Sequence, residues 1–395
     1  MRKAPLVFFL TVACAGSGTR YPCDPSVGDC GGVVVSDGGV QQIPFISEPV
    51  AVFHDGAHNA ATDALPFAGA LFAVFRHAGA WSGDASARLY LVRSADKGRT
   101  WQQAATLGVS GLDPRQPKLF LFAGKLWVIA TFWQTADPTT HRTTLRVAST
   151  EDGFTWSAFT PLSSGAGLAA WRPRQFGARL YFSVWDADEL FPPAAPTAFS
   201  LLSSSDAVLF ASAAAAPVGL GAREGELIVR ATGEHWLAVP ERTVLSSLAR
   251  QTFCRAPAAA LDWTCWSVAA APIESPALFE WKGVLYVAGK RDTGNGFKRT
   301  SIWQVLEDDH DLSLVADLQG PAATTLPYSF GDTGGPSVVQ LDADRALLTF
   351  HTTSRLDGRV AALDHEPTEV EAQAHDYPSD ILAVTLYMPS AAAGH

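Results

Sequence analysis

Side chains able to do acid–base or anion-binding chemistry recur in this chain beside a series of short apolar hairpins. His58-Asn59-Ala60-Ala61-Thr62-Asp63 precedes the hairpin at 67–75, and Arg76-His77 follows it. Asp113-Pro114-Arg115-Gln116-Pro117 precedes 119–130, and Trp171-Arg172-Pro173 precedes 174–184. Glu224-Gly225-Glu226 opens a weaker hairpin that ends at Glu241-Arg242. Ser275-Pro276 and Lys290-Arg291-Asp292 bracket 277–288, and Gly331 to Pro336 leads into 338–350. Carboxylates such as Glu224, Asp63 and Asp113 can give or take a proton. The guanidinium forks of Arg76, Arg115, Arg172, Arg242 and Arg291 suit a carboxylate ligand. If the hairpins are equivalent parts of a ring, polar residues at their matching edges converge on one place. Each residue also has a plainer use: arginines that follow strands can be solvated edges, those beside proline can pair with a local acid, and Asp63 can cap a turn.

The elements that must position these residues are strands. From Glu48 onward the pattern is short apolar runs separated by turn residues, without a long amphipathic helix. That favours an all-β propeller or sandwich over any α/β fold. Leu119 to Ala130 is the clearest apolar–Gly–apolar hairpin; 174–184, 277–288, 338–350, the weaker 226–240 and 67–75 repeat its shape. Six hairpins, each followed by a second strand pair, predict a six-bladed β-propeller with four antiparallel strands per blade across 43–390. The strand Ile381–Met388 is expected to close the ring.

Two octets stand out within this repeat, Ser94-Ala95-Asp96-Lys97-Gly98-Arg99-Thr100-Trp101 and Ser149-Thr150-Glu151-Asp152-Gly153-Phe154-Thr155-Trp156. Aligned end to end they share Ser first, an acid third, Gly fifth, Thr seventh and Trp eighth. Ser and the acid can bond the turn's own amides, Gly supplies a positive φ, and Trp pins the returning strand. Ser204-Ser205-Asp206 reads as a degraded third copy, and Leu261 to Trp266 as a relic of another.

The octet resembles the Asp-box, S-x-D-x-G-x-T-W, of the sialidase (neuraminidase) and BNR-repeat superfamily, of which this chain reads as a divergent member. The resemblance implies a sialidase-like propeller with the boxes on outer-blade turns opposite the active site. It also implies three arginines holding an anionic sugar, a Tyr nucleophile activated by Glu, and an Asp acid/base. Glu224, Arg242 and Arg291 resemble the family's order of Glu, second Arg and third Arg. The pattern breaks at the nucleophile, where Gly335 stands in place of Tyr, with Tyr328 seven positions upstream. It breaks again at the acid/base, where Phe75-Arg76-His77 fills the slot of an Asp-x-Arg and neither Asp63 nor Asp113 aligns with it. The implied function is a glycan-acting propeller, with hydrolysis of an anionic, sialic-acid-like sugar as the implied activity; the alternative is a non-catalytic glycan-binding or scaffolding propeller that has lost the Tyr nucleophile.

Composition narrows partners and compartment. With 17% charged residues and a formal net charge of −10, nucleic acid is not the expected partner. No cofactor motif and no metal-ligand spacing appears; His54, His58 and Asp63 do not obviously aim together. Residues 1–13 carry a basic start and an apolar run too short to span a bilayer, which reads as a signal peptide. Ala13-Cys14 resembles a lipoprotein cleavage site, so a lipid on Cys14 is the expected membrane contact, with simple secretion as the alternative. Residues 14–42 read as a tether. The remaining cysteines cluster as Cys23/Cys30 and Cys254/Cys265, and local pairing in an oxidising compartment is favoured over free thiols. A monomer is expected.

Overall fold

Strands joined by tight turns make up nearly all the regular structure, as the alternating pattern predicts. The computed structural model describes residues 32–36, 39–43, 45–134, 143–187, 198–214, 218, 222–241, 250–257, 261–268, 273–318 and 328–387. Besides a two-stranded hairpin of Gly32–Ser36 and Gly39–Ile43, at the end of the stretch read as a tether, four larger sheets stand alone. The first meanders through Leu112–Phe122, Lys125–Gln134, Thr143–Thr150 and Thr160–Ala166. In the second, Arg179–Asp186, Phe199–Ser204 and Ala211–Ala214 follow an opening strand split into Leu168–Ala170 and Arg174–Phe176. Pro173, which has no amide hydrogen to give a ladder, lies in that break. The third is Glu226–Val229, His235–Glu241, Arg250–Ala256 and Thr264–Val268; the fourth is Glu274–Trp281, Val284–Asp292, Lys298–Leu306 and Asp311–Asp317.

The other strands form one nine-stranded sheet. One half is His58–Phe67, Ala70–Ala78, Arg88–Ser94 and Gln102–Leu107. The other is Gly334–Gln340, Arg345–Thr353 and Ser379–Tyr387, edged by Phe45–Ile46 and Val50–Phe53. A single parallel register, Ser379 opposite His58, joins them. The seam is polar: the Ser379 amide donates to the Ala57 carbonyl (3.1 Å) and the Asn59 amide to Ser379 Oγ (3.0 Å). Where the sequence predicts six separate sheets, four stand alone and this seam fuses the rest.

Successive sheets pack face to face in a β-propeller arrangement. Phe72, Val74 and Leu91 meet Leu119, Val128 and Phe132; Phe120 and Val147 meet Leu180 and Phe182; the pattern continues around the ring. It closes where Leu71, Ala73 and Phe75 meet Val339, Leu347 and Ile381. The first strand of each sheet lines the central axis.

The octets fold as turns between third and fourth strands. In the first, Asp96 Oδ1 accepts from the amides of Arg99 (3.1 Å) and Thr100 (2.9 Å), and Ser94 Oγ accepts from the Gly98 amide (2.8 Å). Those amides and the Thr100 hydroxyl hold the Asp96 carboxyl down at about 2. The second octet is in a different register from the one expected. Thr150 and Asp152, not Ser149 and Glu151, take the Ser and Asp places, because this turn is one residue shorter. Glu151 instead points outward to Lys125 (2.9 Å). Ser204 and Asp206 repeat the shorter turn, with Ala207 at φ 64° where the glycine would be. The turn glycines seat each sheet on its neighbour: a Cβ on Gly98 would lie 2.9 Å from Leu347, and one on Gly153 would lie 2.3 Å from Phe72.

Cys254 and Cys265 face each other across adjacent strands and form a disulfide. The stretch Leu261 to Trp266 runs into Thr264–Val268, the fourth strand of its sheet, and residues 258–260 just before it lie outside the described residues. Residues 1–13, Cys14 and the pair Cys23/Cys30 lie outside the described residues.

Candidate functional site

One local irregularity, repeated around the axis, builds the site. Ala61, Gln116, Glu224, Ser275 and Gly335 all have positive φ, between 48° and 57°. Each sits near the start of an axial strand and is followed by Thr62, Pro117, Gly225, Pro276 or Pro336. Four of these places coincide with register shifts in the ladder. Arg172-Pro173-Arg174 holds the corresponding place in the second sheet. Such bulges re-aim side chains, here toward the axis. A non-glycine residue in this region costs on the order of 1–3 kcal/mol, a strain that clusters at functional sites.

Below the bulges lies a buried charge network. Asp63 is fully enclosed; Arg172 Nη2 reaches its Oδ1 (2.7 Å), and the Leu119 amide donates to its Oδ2 (2.7 Å). Burial would raise the Asp63 carboxyl, but Arg172 and Lys118 outweigh it and hold it ionised. Arg172 Nη1 and Arg174 Nη2 both reach Glu226 Oε1, at 2.7 and 2.6 Å. Lys118 is also fully buried; its Nζ lies 3.8 Å from the centre of the Trp171 ring and has no hydrogen-bond partner. Burial pushes its ammonium down to about 8.

Three clusters surround the mouth above this network. Glu224, half-buried, is gripped through both oxygens: Gln116 Nε2 donates to Oε1 (2.7 Å), and the Ser275 amide donates to Oε2 (2.7 Å). Arg76 forks onto Asp113 (2.7 and 2.9 Å), whose Oδ2 also accepts from the Gly83 amide (3.0 Å). Arg115, 3.8 Å from Asp113, lies between the rings of Trp81 and Trp133, and burial with Arg76 beside it lowers its guanidinium to about 10. Asp332 joins two histidines: His58 Nε2 lies 3.1 Å from Oδ2, and His351 Nε2 lies 3.7 Å from Oδ1. Because His351 Nδ1 accepts from the Ala61 amide (3.3 Å), its proton is on Nε2, facing Asp332. Burial alone would raise Asp332; the two histidines hold it well below the carboxylate range.

The structure thus brings Asp63 together with Arg172, and Asp113 with Arg76 and Arg115, as ion pairs; Glu224 stands apart from both. Arg291 turns along its own sheet to Asp317 Oδ2 (2.5 Å). Its neighbour Lys290 packs beside Gly334 and pairs with Glu274 (2.9 Å) and with Glu369 of the short helix Glu369–Ala374. Arg242 lies outside the described residues. A Cβ on Gly335 would lie 3.0 Å from Ala61 Cα and 3.2 Å from the Thr62 amide nitrogen, so backbone fills the space where a nucleophile would project. Tyr328 is buried in a core cluster with its hydroxyl donating to Glu48 Oε2 (2.8 Å), away from the axis. His54 pairs with Asp380 and His58 with Asp332, so the two imidazoles go to different carboxylates.

Sequence reasoning missed Lys118, Gln116, His351 and the placing of Asp332. The signal available was the repeated bulge triplet, Gln116-Pro117-Lys118, Arg172-Pro173-Arg174, Glu224-Gly225-Glu226, Ser275-Pro276-Ala277 and Gly335-Pro336-Ser337. Among the described residues a cavity of about 390 Å³ lies at the opposite end of the axial strands, lined by Arg174, Ile228, Leu278, Phe279 and Trp281 among others. Its polar members are engaged, Arg174 with Glu226 and Trp281 Nε1 with the Ala343 carbonyl, and the strained, charged residues are at the other end.

No protein-family pattern matches the sequence, and no curated protein resembles it in sequence. Solved structures do. A protein of unknown function from Dyadobacter fermentans aligns over 87% of this chain and 99% of its own, with TM-score 0.63 and 16% identity. The α-L-arabinofuranosidase Arb93A of Fusarium graminearum aligns over 87% and 98%, with TM-score 0.57 and 12% identity. Trypanosoma rangeli sialidase aligns over 89% of this chain but 56% of its own, with TM-score 0.57 and 11% identity. The fold is a sialidase-like β-propeller. At these identities the likeness extends to the fold alone.

Proposed function

We propose that this chain is an exported six-bladed propeller that acts on glycans at its channel mouth, with Glu224 as the reacting carboxylate. Six blades follow if the nine-stranded sheet is two blades fused along the Ser379–His58 seam. The observation that carries the reading is Glu224 itself: a half-buried carboxylate on a left-handed backbone, oriented through both oxygens by Gln116 and Ser275. An oriented carboxylate at a channel mouth suits attack on, or proton transfer at, a glycosidic centre. The structural neighbours named for arabinofuranosidase and sialidase activity support a glycoside as substrate.

An uncharged glycoside is favoured over a sialic-acid-like sugar. Of the arginines proposed to bind a carboxylate, those described are engaged: Arg76 by Asp113, Arg172 by Asp63 and Glu226, Arg291 by Asp317, and Arg115 by the Trp81 carbonyl, to which its Nη1 donates at 2.5 Å. Asp63 and Asp113, ion-paired and enclosed, fit positioning better than proton donation. The filled space at Gly335 favours a second reading, a propeller that binds glycans without a Tyr nucleophile. Purified protein assayed with aryl α-L-arabinofuranoside, arabinan, an aryl uronide and an aryl sialoside separates these readings. Turnover lost in Glu224→Gln supports the hydrolase; binding without turnover, unchanged by that substitution, supports the binder.

Export and anchoring through Cys14 belong to the same proposal. The Cys254–Cys265 disulfide suits an oxidising compartment. Phe45, the start of the ring, pairs with Tyr387 at the end of the strands where the octet turns lie. Globomycin-sensitive processing of the chain, or radiolabelled palmitate incorporation lost in Cys14→Ser, tests the anchor.

A further inference from the structure

The turn at 79–87, between Ala70–Ala78 and Arg88–Ser94, is held in place by charged side chains. Asp84 accepts from the Gly79 amide (2.7 Å) and the Ser86 amide (2.7 Å). Arg76 Nη1 donates to the Ala80 carbonyl (2.9 Å), and Arg115 Nη1 donates to the Trp81 carbonyl (2.5 Å). Asp113 takes the Gly83 amide (3.0 Å), and Asp376, just past the short helix Glu369–Ala374, takes the Trp81 amide (3.0 Å). A surface turn can leave such groups to water; this many charge-assisted bonds fix one conformation.

What the turn carries is Trp81. Among the described residues, Trp81 and Trp133 are the two tryptophans outside the hydrophobic core clusters. Their rings enclose the Arg115 guanidinium, at 5.3 and 4.8 Å. Trp133 is buried, whereas Trp81 is half-buried. Arg115 adjoins Gln116, whose side chain holds Glu224, so a continuous chain of contacts leads from the indole to the mouth carboxylate. A partly exposed indole, fixed in place before any ligand arrives, offers a large apolar face at little cost in ordering. The C–H face of a sugar ring is its complement.

We propose that Trp81 is a stacking platform for an uncharged sugar ring at the channel mouth, with Arg76, Asp113, Arg115 and Asp376 as the positioning residues that fix it. The inference deepens the glycan reading above and rests on the mouth being the glycan site. The arginines then serve a neutral ligand by holding the turn, not by pairing with a sugar carboxylate.

Full-length protein labelled with 5-fluorotryptophan gives fluorine NMR signals for its twelve tryptophans, with Trp81 and Trp101 assigned by the signals lost in Trp81→Phe and Trp101→Phe. The probes are neutral arabino-, xylo- and galacto-oligosaccharides, with sialyllactose as the anionic control. A neutral probe is expected to give a saturable shift of the Trp81 signal and to leave Trp101, in the octet turn, unmoved. Trp81→Ala should weaken that probe's affinity about tenfold or more, and Trp81→Phe, which keeps an aromatic face, should lose less. Asp376→Ala frees the Trp81 amide and keeps the ring; it should move the ligand-free Trp81 signal, weaken binding about threefold, and serve if Trp81→Ala does not fold. A neutral probe that binds without moving the Trp81 signal, affinity unchanged in Trp81→Ala, a shift with sialyllactose alone, or no neutral probe bound overturns the proposal. If a neutral probe shifts Trp81 while no glycoside turns over, the hydrolase reading falls and the platform stands. If glycosides turn over in a Glu224-dependent way and the Trp81 signal stays put, this inference falls alone.

Discussion

The octet turns and the channel mouth are built by opposite means. At the turns, a carboxylate within a few residues of its donors satisfies the backbone locally, and the same solution recurs at Asp96, Asp152 and Asp206. At the mouth every carboxylate is held by residues far away in sequence, and no two clusters are alike: Glu224 by Gln116 and Ser275, Asp113 by Arg76, Asp332 by His58 and His351. A repeated local device is what a scaffold needs. A set of unlike, long-range and strained contacts is what a site needs. The turns should therefore govern stability and the mouth should govern chemistry, with the axial charge network between them serving both.

The largest stability effect is expected where that division is least clear. Arg172→Met leaves Asp63 and half of the Glu226 pairing uncompensated in the interior, which should cost about 3–5 kcal/mol in urea unfolding. If the variant instead unfolds like the native chain but loses ligand affinity, Arg172 belongs to the site and not to the buried charge network beneath it. Gly153→Ala comes next. Its Cβ would overlap Phe72 and its φ of 82° disfavours a side chain, so a loss of about 2–4 kcal/mol is expected, with glycan binding unchanged in protein that remains folded.

How far the sequence foretold each region follows from the same contrast. The octets could be read because everything that defines them lies within eight residues. Even so, the second was read one residue out of register: Glu151 and Asp152 are adjacent acids, and only the hydrogen bonds show which one turns inward. Cys254 and Cys265 were readable for the same local reason. At the mouth, Glu224 could be singled out by its place before a hairpin, but its partners could not, since Gln116 and Ser275 reach it across the ring. Arg291 was favoured over Lys290 through the family order, yet alternation along the strand sends Arg291 to Asp317 and leaves Lys290 beside Gly334. Asp332 could not be placed from the sequence, because nothing nearby in it announces His58 or His351.

Smaller effects should appear in the pH dependence of stability. Lys118 has a folded-state value of about 8 against an ordinary 10.5. Between those values the unfolded chain holds a proton that the folded chain has released, so stability should rise as pH climbs from about 8 to about 10.5. Lys118→Met should abolish that rise. On the acid side, buried His58 is shifted down by its burial, so stability should fall as pH drops below about 6.5, where the unfolded imidazole takes a proton more readily. The smallest expected change belongs to the first octet. Asp96, held at about 2, contributes stability that is present above its ordinary 3.8 and is lost as pH falls toward 2; Asp96→Asn should remove that limb. An acid limb unchanged in Asp96→Asn would mean the turn's hydrogen bonds do not depend on its charge.

The claim that chemistry resides at the mouth is tested most directly by comparing Glu224→Gln with Gly153→Ala in one assay of glycoside turnover and thermal unfolding. Glu224→Gln is expected to reduce kcat/KM by at least about a hundredfold with its melting temperature preserved, while Gly153→Ala lowers the melting temperature and leaves kcat/KM intact. Full turnover in Glu224→Gln would contradict that claim.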